Sequence, residues 1–328
     1  MPDILQGWLI EQGIGEHRAL LFDKGEVVAA KVDWPGKLSS GQIADAILIA
    51  RVTGGTRGTL RFASGEEALV SRLPRDIAEG ASFRALITRA AMSEHGRFKR
   101  AQAIPTQNAL RPAPTLAECL RAEGESLRIV RHFPQGMWEE VIADAWTGQI
   151  TFTGGALSVS PTPAMTLIDI DGDLPPRALA LTGASAAAHA IHRFDLTGSI
   201  GIDFPTLDDK TDRRAVDAAL AAGLSGWPHE RTAMNGFGFV QLVARLERPS
   251  LIHRLQRDPV GAAARLILRR GEQEPGAGPL LITAHPSVIA AIRPEWHDDL
   301  IRRTGRSIRW REDSALAIEA GFAQSVSA

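Results

Sequence analysis

The sequence predicts a mixed α/β fold, and three patterns predict it. Short strands separated by glycine-rich turns between residues 40 and 105 read as a small antiparallel barrel. A strand, helix, strand succession from Thr166 to Phe204 reads as a crossover unit with an aspartate on each strand. Residues 256–328 alternate helical and strand patterns, as a small α/β unit does.

Taken in order, residues 1–35 hold a hairpin from His17 to Trp34. Ala19-Leu20-Leu21-Phe22 and Val27-Val28-Ala29-Ala30 flank the turn signal Asp23-Lys24-Gly25. Residues 36–105 supply the barrel strands, expected at Ala46–Val52, Gly58–Phe62, Glu67–Val70 and Ser82–Thr88. From Ala103 to Thr115 three prolines and little periodicity read as a linker. Within 106–255, helices are expected at Leu116–Arg121, Met137–Ala145, Ala184–Phe194, Arg213–Ala222 and Gly238–Glu247. Strands are expected at Arg128–Arg131, Ile150–Phe152, Ala156–Val159, Met165–Ile170 and Ser199–Phe204. In 256–328 the expected elements are helices at Ala262–Arg269, Pro286–Ile292 and Trp296–Thr304, with strands at Gly278–Thr283 and Ser307–Trp310.

Composition excludes several function classes. The 328 residues are 23% charged and 44% hydrophobic, a globular balance rather than a disordered one. A net charge of −1 announces no nucleic-acid or membrane partner, so any basic surface is local. Cys119 is the sole cysteine, which rules out an intrachain disulfide or a cysteine-based zinc site. The start Met1-Pro2-Asp3-Ile4 lacks the basic and apolar regions of a signal peptide, and no stretch has the apolar length of a membrane helix. The expectation is a cytoplasmic protein without a membrane partner.

The chemistry centres on Thr166-Leu167-Ile168-Asp169-Ile170-Asp171 and Ser199-Ile200-Gly201-Ile202-Asp203-Phe204. A carboxylate ending an apolar strand is costly to bury unless it is paired or binds a cation. On neighbouring parallel strands, Asp169 and Asp203 are placed to share a divalent ion, and Asp171 projects to the same face as Asp169. Magnesium needs only one or two carboxylates beside substrate phosphates. The same pattern also fits a solvated acidic turn after one strand and an unrelated capping aspartate on the other.

Segment 150–255 resembles the catalytic domain of the ribonuclease E/G family. Leu167-Ile168-Asp169-Ile170-Asp171 is similar to its ID[IV]N strand, and Gly201-Ile202-Asp203-Phe204-Pro205-Thr206-Leu207 to its VIDFIDM strand. The lead-in Gly155-Ala156-Leu157-Ser158-Val159-Ser160-Pro161-Thr162 resembles GGSIVIxxTEA. Arg214-Ala215-Val216 matches the following RAV, and Asn235-Gly236-Phe237-Gly238-Phe239-Val240 resembles SRFGLLE. More loosely, the opening hairpin, the barrel and the tail through Leu280-Leu281-Ile282-Thr283-Ala284-His285-Pro286 match the family's outer parts.

The resemblance implies an RNase H-like catalytic core (106–255) with an inserted OB-fold-like RNA-binding barrel (36–105) and a small C-terminal α/β domain (256–328). It implies a metal-dependent endoribonuclease of single-stranded RNA. Asp169 and Asp203 would hold Mg²⁺, with Mn²⁺ as an alternative, and Asp171 would assist the metal or orient the attacking water. Basic and aromatic residues of the barrel (Arg57, Arg61, Phe62, Arg84, Arg97, Lys99 and Arg100) would contact RNA, as OB-type domains do.

The chain also departs from the family. Arg257-Asp258-Pro259-Val260 stands where the paired cysteines should be, so neither zinc nor a zinc-linked oligomer is expected. The 5′-monophosphate pocket is largely missing between Ala103 and Met137. Asp171 replaces an asparagine, and Thr206 replaces the second acid of DFID, followed by Asp208 and Asp209. Gly236 stands at an arginine and Gln241 at a glutamate, while Ala244 and Leu246 replace a basic pair. These losses leave open a catalytically weakened RNA-binding protein of the same fold. His189, His192 and Arg193, on one predicted helix, are secondary candidates to approach a phosphate.

Overall fold

The computed structural model describes residues 6–94 and 97–327, excluding the side chains of 93–98. Strands β1 (Gly7–Gly13), β2 (Glu16–Asp23) and β3 (Glu26–Asp33) form an antiparallel meander, the last two being the expected hairpin. Then β4 (Ile43–Arg51), β5 (Gly58–Phe62), β6 (Glu67–Val70) and β7 (Ser82–Arg89) follow. A short hairpin of β8 (Met92–Glu94) and β9 (Arg97–Lys99) precedes β10 (Ala101–Pro105). Strands β4 to β7 and β10 close a five-stranded barrel in the order β10-β6-β5-β4-β7, around Leu48, Leu60, Ala85, Ile87 and Ala101. The start of the predicted linker is thus the closing strand. Ala101 and Ala103 alternate into the barrel while β10 pairs with both β6 and β7.

Helix α1 (Leu116–Ala122), β11 (Leu127–Val130) and α2 (Met137–Thr147) come next, and β11 joins the first sheet parallel to β1. Three antiparallel strands follow: β12 (Gln149–Phe152), β13 (Gly155–Pro161) and β14 (Thr166–Gly172). Helix α3 (Pro176–Arg193) crosses over to β15 (Ser199–Asp203), parallel to β14. Helix α4 (Lys210–Gly223), β16 (His229–Arg231) and β17 (Phe239–Ala244) complete the sheet, ordered β12-β13-β14-β15-β17-β16. The helix expected at Gly238–Glu247 is therefore a strand. Its Phe-Val-Gln-Leu-Val-Ala run alternates, with Val240, Leu242 and Ala244 buried, and it pairs antiparallel with β15.

The main core lies under one face of this sheet. Ile168, Ile170, Ile200 and Ile202 pack against the alanine-rich flank of α3, whose small Ala180, Ala184 and Ala187 let helix and sheet approach closely. Each buried isoleucine contributes about 1.5–3 kcal/mol. Leu20, Phe22, Ala30 and Val32 of the N-terminal sheet join the same core, so α3 has sheet on both sides.

The remaining elements are α5 (Leu251–Arg257), α6 (Pro259–Gln273), β18 (Leu280–Ala284), α7 (Pro286–Ala290), α8 (Pro294–Thr304), β19 (Ile308–Glu312) and β20 (Phe322–Ser325). The three strands form a small sheet ordered β19-β18-β20. A buried ionic cluster ties α6 to the N-terminal sheet. Glu11 takes hydrogen bonds from Arg18, from Arg269 at 2.9 Å and from the Phe133 amide at 2.9 Å, and Arg18 also pairs with Glu16. Among the described residues, no helix is long and apolar enough to cross a membrane.

Candidate active site

Packing decides which side chains face the site. Ile168 and Ile170 point into the core, so strand alternation sends Leu167, Asp169 and Asp171 to the opposite face. On β15, Ile200 and Ile202 are buried and Gly201 and Asp203 share that opposite face. Asp169 and Asp203 are direct partners in the parallel register, on strands about 4.8 Å apart, and both are exposed. Both lie at one end of the β14–β15 pairing, as the sequence predicts.

The two charges feel each other. The Asp203 carboxyl is held above the usual carboxylate range, first by partial burial and then by the negative charge of Asp169. Among the described residues, no cation contributes to that balance. Asp171 lies one step farther along the same face, opposite Ala156, and its Oδ1 accepts from the Gly172 amide at 2.8 Å. Among the described residues, no group of three or more His, Cys, Asp or Glu side chains converges on a metal position. What the pair offers chemically is two exposed oxygen donors on neighbouring strands. That suits a hard cation completed by water and a phosphate, and does not suit zinc.

A turn beside the acids adds an aromatic. The Asn235 side chain accepts from the amides of Phe237 (2.9 Å) and Phe239 (3.0 Å), while the Phe204 amide donates to Gly238 O at 3.1 Å. Gly238 has φ +88°, and a Cβ there would meet Phe204 O at 2.4 Å, so the turn demands glycine. It leaves Phe237 85% exposed, close in the chain to Phe239, the antiparallel partner of Asp203. The Phe239 ring lies over Gly201, where a Cβ would approach it to 2.5 Å. The acid pair is thus flanked by an apolar ledge and a projecting ring. The Asn235–Phe239 segment is visible in the sequence as a motif, but the part its phenylalanine could play is not.

Other expected contributors lie elsewhere. α3 backs the buried face of the sheet, so His189, His192 and Arg193 do not join the acids. Arg193 is committed to Glu140 (2.7 Å) and Asp144 (3.2 Å), and His192 Nε2 lies 3.3 Å from Gly223 O. Asp209 caps α4 through the Thr211 amide at 2.6 Å.

On the barrel, Phe62 is buried in the core with Leu60 and offers no ring to a base, contrary to expectation. Strand alternation is the reason: Leu60 and Phe62 face inward, Thr59 and Arg61 outward. Arg61 and Arg100 both pair with Glu67, at 3.1 and 3.3 Å, and Arg84 lies 3.9 Å from Asp45. Arg57 is exposed and, with Val52, Thr59 and Leu69, lines a groove of about 530 Å³. Lys99 is half-buried, and the Arg97 side chain lies outside the described residues.

Compared with protein-family models and with curated proteins, the chain matches none of them.

Proposed function

We propose that the chain is a metal-dependent endoribonuclease acting on single-stranded RNA, of the ribonuclease E/G type its motifs resemble. The observation that carries this reading is the register of Asp169 against Asp203: two like charges on adjacent strands, with no counter-cation among the described residues. Such a pair is unfavourable in isolation and becomes favourable with a divalent cation between the carboxylates. A cation held there lowers the pKa of a bound water and offsets charge on the scissile phosphodiester. Asp169 and Asp203 offer the oxygen ligands, and Asp171, an exposed acceptor on the same face, orients the attacking water. Phe237 stacks on a base next to the cleaved linkage, holding the strand across the acids. Arg57 at the mouth of the barrel groove takes a more distant phosphate.

The same reading treats the barrel as an OB-type domain and the core as RNase H-like. The first label is supported by the closed order of five strands, in which the first, second and third are followed by the fifth and then the fourth. For the second, the sheet supplies acids on neighbouring parallel strands, while its three leading strands run antiparallel in chain order.

The test is a fluorescent single-stranded RNA incubated with the full chain in Mg²⁺ and in EDTA. Cleavage in Mg²⁺ alone is expected, and its loss in Asp169→Asn and Asp203→Asn, whose circular dichroism remains that of the parent. RNA binding without any cleavage would instead identify a non-catalytic RNA-binding protein.

A further inference from the structure

A second site lies away from the acid pair, where the end of β3 and the barrel meet α5, α6 and the segment before α8. It is a cavity of about 300 Å³, at the lower end of small-molecule sites. Among the described residues, five cations line it (Lys37, Arg254, Arg257, Arg265 and Arg293) against two carboxylates, Asp33 and Asp258. Asp258 is occupied in capping α6 through the Gly261 amide, and Asp33 lies 3.7 Å from Arg254.

The cations are built into the wall rather than scattered on the surface. The Arg265 guanidinium sits 4.0 Å from the Trp34 ring centre and 4.7 Å from that of Trp296, donating to Gly15 O at 2.8 Å and Gly261 O at 2.7 Å. Arg254 also lies over Trp34, at 5.3 Å. Among the described residues, the buried Nε atoms of Arg254 and Arg257 have no hydrogen-bond partner, a mark of how tightly both arginines are packed into the wall. Burial holds Arg254 below the ordinary arginine value and brings Arg265 down to about 10, despite nearby acids. Desolvated guanidiniums held in place by indole rings and backbone carbonyls around a mostly cationic cavity are what an anion completes, and their planar forks match phosphate oxygens.

We propose that this cavity binds a small phosphorylated anion, a phosphate monoester no larger than a mononucleotide. Its phosphate completes the arginine wall, and Lys37 and Arg293, both exposed, guard the mouth. Nothing in this proposal uses the acid pair, so the two sites fail or stand separately.

The experiment is calorimetric titration of the full chain in low salt and EDTA with inorganic phosphate, adenosine 5′-monophosphate and adenosine. Saturable binding of the two phosphates, one per chain, is expected, with none of adenosine. Arg254→Gln should weaken binding at least about tenfold, the loss of one charge-assisted hydrogen bond. Because Arg254 is buried, the exposed Lys37→Gln and Arg293→Gln serve as variants that keep the fold, each weakening binding several-fold. Asp169→Asn should leave it unchanged. Absence of saturable phosphate binding, equal binding of adenosine, or indifference to Lys37→Gln and Arg293→Gln would overturn the proposal.

Discussion

At the scale of single residues, Asp203 and Glu11 are opposites. Burial raises both carboxyls, but Glu11 faces Arg18 and Arg269 and ends below its ordinary value, whereas Asp203 faces Asp169 and ends above. The sign of their pH dependence therefore differs. A raised carboxyl opposes folding while ionised, and that cost disappears as pH falls through its folded-state value. Without divalent cations, Asp203→Asn should be slightly more stable than the parent at neutral pH. The gain is under about 1 kcal/mol because solvent screens exposed charges. Urea unfolding in EDTA measures it.

The next scale is that of elements. The Asn235–Phe239 turn is pinned at both ends, so removing the Phe237 ring should not disturb it. Phe237→Ala should leave stability within about 0.5 kcal/mol of the parent. It should weaken binding of single-stranded RNA roughly thirtyfold, the middle of the range for one lost base-stacking contact. Fluorescence anisotropy in EDTA reads this directly. Elements also explain what the sequence makes legible. β14 and β15 announce themselves as apolar runs ending in acids, and α3 as an alanine-rich helix. β17 is harder, because Phe239–Ala244 reads as helical until its partner β15 selects the period-two face. The strand β10 hides among prolines because only barrel closure gives its alternation a meaning. Phe62 was open to the opposite reading from β5 alone: Leu60 and Phe62 share a parity, so one face had to be core.

Across the whole molecule, tertiary charge pairing joins parts distant in the chain. Glu11 on β1 meets Arg269 on α6, and Asp195, after α3, meets Arg248 at 3.0 Å. Neither pairing is visible locally, since the partners are far apart in sequence and ordinary in type. Both acids sit below their usual values because the arginines outweigh burial. Their contribution is present above the ordinary carboxylate range and lost as pH falls through the lowered folded-state values. Glu11→Ala, which leaves Arg18 with Glu16 alone and Arg269 with Glu139 alone, should cost about 3 kcal/mol, the low end for a broken buried ion pair, measured by urea denaturation at neutral pH. The arginines beside Trp34 are close in sequence, on α5 and α6, but Trp34, Trp296 and the mouth cations Lys37 and Arg293 come from distant segments, so the cavity itself is hidden.

The central claim is that Asp169 and Asp203 together hold one divalent cation, and thermal unfolding in EDTA and in excess Mg²⁺ tests it most directly. A cation bound only by the folded chain raises the unfolding temperature. The account predicts a Mg²⁺-dependent rise for the parent and none for Asp169→Asn or Asp203→Asn. No rise in the parent, or the same rise in either variant, would contradict it.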